Sequence, residues 1–292
     1  MSTALRYRKG DTTVSRFDFT LGSVEAVVVG RAVGADVRVF PLRISNTTVD
    51  PVRFARLARQ VYFDLEDRRL SVRGELNRQV RAAFDLLRDH RVSVAASGTD
   101  VRHGDLAVFA ATDGAQALTI TQTGGEDKLE FSLLPDEELV RTLAGALPAA
   151  DPAPTRPLAV SRRDDQPRSA FAARRQAEEE FDREETEAFG SLQVNSVVRP
   201  RGGIRTRTRT QDEEILTEIL AGPRLGGGYF TASGRGRHGE QRTAEPVTWL
   251  DTEDGRYLVH TTTDRSSTTA HYVPAGFADV AATVRTMISA VY

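Results

Sequence analysis

The stretch PVTWLDTEDGRYL, Pro246 to Leu258, decides how the chain is read. Asp254-Gly255 stands between two runs with strand character, 245–251 and 256–262, and an Asp-Gly pair accepts the positive φ that a tight hairpin turn needs. Strands are expected on either side at 227–233 and 268–273, so four strands follow one another as a meander. The earlier half of the chain has the same arrangement. Residues 92–97, 105–112, 115–122 and 128–133 read as four short strands around Asp113-Gly114, the last alternating Leu129, Phe131 and Leu133 with Lys128, Glu130 and Ser132. A helix closes each set. One spans Pro135 to Leu147; the other starts at Pro274 and carries Phe277, Val280, Ala281, Val284, Met287, Ile288 and Val291 on one face. Asp113 and Asp254 are 141 residues apart, and Pro135 and Pro274 are 139 apart. Two landmarks thus share nearly one offset, which implies an internal duplication. A meander leaves an unpaired edge, and two copies can join edge to edge. The expected fold is α+β: a central antiparallel β-sheet with a quasi-twofold, duplicated arrangement, flanked by helical bundles.

Helical segments precede the first meander. Ser23 is expected to cap a helix from Val24 to about Val33, with Glu25 in the first turn where the dipole favours an acid. Asp50-Pro51 supplies a cap and a proline for the next helix, whose residues Phe54, Leu57, Ala58, Val61 and Leu65 lie on one face. A further helix after Gly74 places Leu76, Val80, Ala83, Phe84 and Leu87 together. Between the halves, 148–168 holds five of the chain's 12 prolines and reads as a linker. Residues 169–189 read as a charged helix with the i,i+4 pairs Arg174/Glu178 and Arg175/Glu179. Arg199 to Thr210 reads as a mobile loop ahead of a helix at 211–221. The domain expectation is a single unit over 1–292, with pseudo-repeats at 1–147 and 211–292 joined by a charged linker or insert, 148–210.

Composition narrows the function. The 292 residues are 39% hydrophobic and 27% charged, and 39 Lys+Arg against 41 Asp+Glu leave a net charge of −2. Such a chain has no global field to hold a polyanion, so a dedicated nucleic-acid binder is disfavoured. Cysteine is absent, which excludes disulfides, thiolate metal sites and cysteine nucleophiles. No run approaches 18 apolar residues and no apolar segment follows the first basic residues, so neither a membrane span nor a signal peptide is expected and the location expected is cytoplasmic. Lys9 and Lys128 are the only lysines, and no Walker-type Gly-Lys-Ser/Thr occurs.

The chemistry-bearing patterns favour bland readings. Gly234-Arg235-Gly236-Arg237-His238-Gly239 matches G-x-G-x-x-G, yet a strand follows it where a dinucleotide site needs a helix N-terminus. Gly226-Gly227-Gly228 likewise precedes no helix and reads as a bulge or close backbone approach. His90, His103, His238, His260 and His271 show no metal-ligand spacing, although His260 and His271 can meet across neighbouring strands. Asp251, Glu253 and Asp254 suit a hairpin turn better than a calcium loop. No G-x-S-x-G elbow and no nucleophile–base constellation is found. No catalytic residue, cofactor or metal is therefore expected, and the chain is not read as an enzyme. The basic stretch Arg199–Arg209 supports the alternative reading, a nucleic-acid-binding regulator, but it lacks the interleaved aromatics of single-strand binders.

Several segments together resemble the EspG family, cytosolic chaperones of type VII (ESX) secretion. They are Gly226-Gly227-Gly228-Tyr229-Phe230, the hairpin Trp249-Leu250-Asp251-Thr252-Glu253-Asp254-Gly255-Arg256-Tyr257, Phe17 to Leu21 ahead of Ser23–Glu25, Phe40-Pro41-Leu42-Arg43-Ile44, and Asp67 to Leu70. The resemblance implies a quasi-twofold antiparallel sheet with helical bundles. It also implies a non-catalytic activity: binding a helical PE–PPE-like secretion substrate and keeping it soluble until export. The chain departs from the family pattern in its long charged 155–210 region. Within the motif, Trp249 and Tyr257 are expected to pack across the hairpin, and Asp251 and Gly255 to shape its turn. Tyr229, Phe230, Arg235 and Arg256 are the expected partner contacts, because aromatics and arginine anchor interfaces well.

Overall fold

The computed structural model describes residues 16–44, 50–124, 127–163, 210–236, 239–264 and 267–292. The first half runs β1 (Phe17–Gly22), α1 (Ser23–Val33), α2 (Pro51–Asp67), β2 (Ser71–Val72), β3 (Glu75–Leu76), α3 (Arg78–Arg88), β4 (Val92–Asp100), β5 (Gly104–Thr112), β6 (Gln116–Thr123), β7 (Lys128–Pro135) and, after one 3-10 turn, α4 (Leu139–Gly145). The second runs β8 (Leu158–Arg163), α5 (Gln211–Ala221), β9 (Arg224–Arg235), β10 (Gln241–Thr243), β11 (Val247–Thr252), β12 (Gly255–Asp264), β13 (Ser267–Pro274) and α6 (Phe277–Val291). The expected charged helix at 169–189 and the Arg199–Arg209 stretch lie outside the described residues.

Eleven strands form one antiparallel sheet in the order β1-β7-β6-β5-β4-β9-β11-β12-β13-β8, with β10 beside β9; β2 and β3 make a separate short ribbon. The order reads alike from both edges. Outward from the central β4–β9 pair, each half steps through its meander and ends on the strand that opened that half. The meanders fall where hydrophobic alternation puts them, and the first Asp-Gly pair makes its turn. At Asp113-Gly114 the Asp113 carboxylate accepts from the N–H groups of Ala115 and Gln116, and Gly114 takes φ +93.

Several local expectations need correction. Gly22, not Ser23, is the N-cap of α1, and the Glu25 carboxylate accepts its N–H at 2.9 Å. Ser23 is the first helical residue, fully buried, its hydroxyl without a partner. Leu76 lies in β3 rather than on α3, because Asn77 caps that helix by accepting from Gln79 N. The turn between β11 and β12 is made by Glu253 and Asp254, since Thr252 pairs with Gly255. Gly255 is needed for a different reason: at its φ of +135, a Cβ would stand 2.7 Å from Asp151 O and Ala153 N. The stretch read as a proline-rich linker contributes β8, the edge strand that pairs with β13 from Leu158↔Tyr272 to Arg163↔Ser267.

Register assigns each helix to a face. Tyr257, Leu250, Gly227, Thr99 and Asp105 form one row across five strands, so Tyr257 and Phe109 share a face. On that face α1, α2 and α3 cover one end, burying Leu21, Phe84, Leu118 and Phe131. α5 covers the other end, packing Leu216 near Tyr257, Val259 and Tyr272. α4 and α6 pack together on the opposite face, over Val94, Val108, Phe230, Trp249 and Leu258.

The row Leu258, Trp249, Gly228, Gly98 and Leu106 runs under α4 and α6 and crosses the junction of the halves. The buried Trp249 indole lies over two glycines there. A Cβ on Gly98 would stand 2.5 Å from Trp249 Cζ2, and one on Gly228 would meet the indole as closely. Two predictions follow for urea unfolding. Trp249→Ala should cost about 3–5 kcal/mol through the cavity it leaves. Gly228→Val should cost about 1–3 kcal/mol or more by overpacking, despite adding a good strand former.

Candidate functional site

β9 separates the residues expected to touch a partner. Successive strand side chains point to opposite faces. Tyr229 therefore faces the side shared by α1 and α5, and Phe230 the side of α4 and α6, where it is 0% exposed and its ring lies 5.1 Å from that of Trp249. Arg256 is also interior, at 2% exposure. Its Nε and Nη2 donate to the two carboxylate oxygens of Asp251 at 2.6 and 2.7 Å, and Nη2 also donates to Pro148 O at 2.7 Å. Its backbone N–H donates to Asp151 O, and its carbonyl accepts from Ala153 and Ala275. Arg256 thus ties the chain leaving α4 and the approach to α6 to the hairpin. Neither Phe230 nor Arg256 can meet a partner in this conformation; Tyr229 and Arg235 reach the surface. Removing one member of a buried ion pair strands the other, so Asp251→Ala should lower unfolding stability by about 3–5 kcal/mol.

Tyr229 belongs to a surface that one residue at a time would not disclose. Among the described residues, no helix covers the middle of the sheet on its side, between α1–α3 at one end and α5 at the other. The floor there consists of small and hydroxyl side chains from the two central strands: Ser93, Ala95, Ser97 and Thr99 opposite Ser233, Thr231, Tyr229 and Gly227. Its border on the first half is the segment after α1. Arg43 and Gln122 join it to β6 by a reciprocal pair of hydrogen bonds, N–H to Oε1 at 2.8 Å and Nε2 to carbonyl at 3.0 Å. Arg43 also pairs with Asp105 at 2.6 Å. So held, Phe40 lies 49% exposed with its ring stacked on Tyr229, centroids 6.1 Å apart. Burial pushes the Tyr229 phenol pKa up, with Ser97 acting weakly in the other direction. Tyr229 therefore keeps its proton at neutral pH and can donate it.

Beside Tyr229 the floor is dented. A hollow of about 380 Å³ is lined by Thr99, Val101, Leu225, Gly227, Thr248 and Leu250, among others. Gly226 is obligatory, since a Cβ would stand 2.8 Å from Thr99 O. Gly227 is less constrained: the nearest atom to its Cβ would be Trp249 O at 3.1 Å, and Leu250 is 3.9 Å away. Its missing side chain opens space on the floor. Sequence reading singled out the glycine triple but could not tell the glycine that serves packing from the one that leaves a hollow. It also gave Phe40 no role, because the Phe40–Tyr229 contact joins residues far apart in the chain.

The remaining motifs are explained by packing. Of the G-x-G-x-x-G segment, Gly234 lies in β9, where a Cβ would strike Val291 at the end of α6. Among the described residues, no group of three metal-ligating side chains gathers. His260 and His271 stand directly opposite each other on β12 and β13. Burial, and then the His271 charge, hold the His260 pKa below the usual imidazole value. A depressed folded-state pKa gives stability that is present above the unfolded value, near 6.5, and is lost as pH falls through the folded one. The thermal midpoint should therefore drop on acidification below about pH 6.5, and His260→Gln should reduce that drop.

The comparisons with known proteins bear on the family and the fold. The sequence profile of the EspG family matches residues 23–286. Among solved structures, the chain is similar to the Mycobacterium tuberculosis type VII secretion system chaperone EspG5, determined in complex with a PE25–PPE41 dimer. The TM-score is 0.58 at 14% sequence identity, and the match covers 94% of this chain and 97% of that one. At that identity the likeness concerns the fold. No curated protein matches by sequence.

Proposed function

Because the chain belongs to the EspG family, we propose that it is a secretion-specific chaperone of the type VII (ESX) pathway, holding a helical PE–PPE-like heterodimer in the cytoplasm until export. The observation that carries this reading is the floor of β4 and β9 that no described helix covers, with the Phe40–Tyr229 stack at one border and the Gly227 hollow beside it. A floor of small residues lets another backbone approach closely, while a stacked aromatic pair offers rigid apolar area at low entropic cost. The hollow suits an apolar side chain at the tip of a helical hairpin. The proposed activity is binding without turnover, in keeping with a family of chaperones. Among those residues, no helix is long and apolar enough to cross a membrane. A single domain made of two pseudo-repeats belongs to the same proposal, supported by a strand order that reads alike from both edges.

Co-expression with a PE–PPE pair tests the reading. The pair should be soluble only when the chain is present, and the two should co-elute as a 1:1 complex. Tyr229→Ala, and Gly227→Leu to fill the hollow, should each weaken the complex by about 2 kcal/mol, roughly thirtyfold. Undiminished affinity in both variants, with unchanged thermal midpoints, would remove the floor from the interface. A pair that stays soluble without the chain would sink the chaperone reading.

A further inference from the structure

The same floor ends, away from Gly227, in a hollow of different character. Along β9, Arg235 lies eight residues beyond Gly227, about 26 Å at strand rise. There a space of about 220 Å³ is lined by His90, Arg91, Ser93, Ser233, Arg235 and Gln241, with backbone from Gly234 and Gly239. Among the described residues, no carboxylate lines it. Arg235 is exposed and, among the described residues, forms no ion pair. Arg91, half-buried, lies with its guanidinium 4.0 Å from the centre of the Tyr292 ring, a contact that orients it without neutralising it. The acid nearest in sequence, Glu240, pairs with Arg242 at 2.7 Å. On the strand floor, Ser93 Oγ and Ser233 Oγ are 3.0 Å apart; one donates to the other, so one hydroxyl proton is left over. His90 Nδ1 lies 3.0 Å from Leu87 O and so carries its hydrogen there, leaving Nε2 free. The β4–β9 ladder continues to this end, where Arg235 N–H donates to Arg91 O at 2.9 Å. The backbones of Arg91 and Arg235 are therefore neighbours across this end of the ladder, and both residues line the hollow.

We infer that this hollow is an anion site that receives an acidic side chain of the protein lying on the floor. Two planar guanidiniums with a spare hydroxyl proton match a carboxylate, which accepts bidentate hydrogen bonds from arginine. The space is too small for a nucleotide and sufficient for one carboxylate. The inference rests on the docking face proposed above and adds polarity to it. An apolar residue of the partner enters the Gly227 end, an acidic residue enters the Arg91–Arg235 end, and the partner can lie in one direction only. Charge at one end also makes recognition depend on salt, which an apolar floor alone would not.

A test that needs no secretion substrate uses the full-length chain labelled with 15N-arginine, titrated at low ionic strength with a blocked tetraglutamate peptide. The Nε–H signals of Arg91 and Arg235, assigned from the Arg91→Gln and Arg235→Gln spectra, should shift together. Arg235→Gln alters an exposed side chain and leaves the fold intact. It should weaken peptide binding at least about tenfold, as expected for a lost charge-assisted pair, while Arg141→Gln on α4 leaves it unchanged. Added salt should weaken binding in the parent chain, and blocked tetralysine should cause no shift. The inference is overturned if the two signals do not move, if Arg235→Gln binds as well as the parent, or if inorganic phosphate moves them and the peptide does not. A PE–PPE complex indifferent to both substitutions would leave the chaperone reading standing and retire this one. Peptide binding with no PE–PPE complex would do the reverse.

Discussion

The contact of Trp249 with Gly98 and Gly228 is the constraint on which the sheet depends. Ten strands in sequence can be continuous only if the two meanders join, and they join at β4 and β9. At that junction the largest side chain of the interior lies flat over two positions with no side chain. The indole gains apolar contact with both strands at once, and the glycines give up strand propensity to make room for it. The hairpin that delivers Trp249 is held by the buried Arg256–Asp251 pair, which also gathers the chain leaving α4 and the approach to α6. In this structure the Trp249–Tyr257 hairpin thus acts as a fastening.

That fastening leaves the two faces of the sheet with different fates. The row containing Trp249 is covered by α4 and α6 and forms a core. On the other face, helices sit at the two ends and the central strands carry Ser, Thr, Ala, Gly and one Tyr. These residues bury little apolar area, so nothing in the protein's own energetics requires a cover there. An uncovered, small-residue floor with an aromatic pair, an apolar hollow at one end and two arginines at the other has the chemical variety a partner needs. The packed face pays for the open one.

The hairpins, the α2 cap at Asp50, the α5 helix and the closing helix were legible from local patterns, because each depends on residues within a turn or two of one another. The candidate site was less so. Tyr229 and Phe230 look equivalent as neighbouring aromatics, yet strand alternation sends one to the floor and the other to the core. That distinction was available from period two once Phe230 was set beside Trp249. Arg256 looks like an exposed charge until its facing position proves to be Asp251. Phe40 and Arg91 could not have been found, since their partners, Tyr229 and Tyr292, are distant in sequence.

What the sequence determined by itself is the set of elements and their local ends: Asp-Gly pairs place turns, caps and prolines place helices, and apolar periods of two and 3.6 distinguish strands from helices. It also determined the two-meander plan and the absence of thiol chemistry. Only the tertiary structure decided that β1 and β8 become the sheet's edges, that α4 and α6 share one face, and that no described helix covers the floor between α1 and α5. The physical reason is range. Turns and caps are settled by hydrogen bonds a few residues long, whereas edge pairing and face assignment depend on strands separated by a hundred residues or more, whose register and cover are chosen by the packing of the whole.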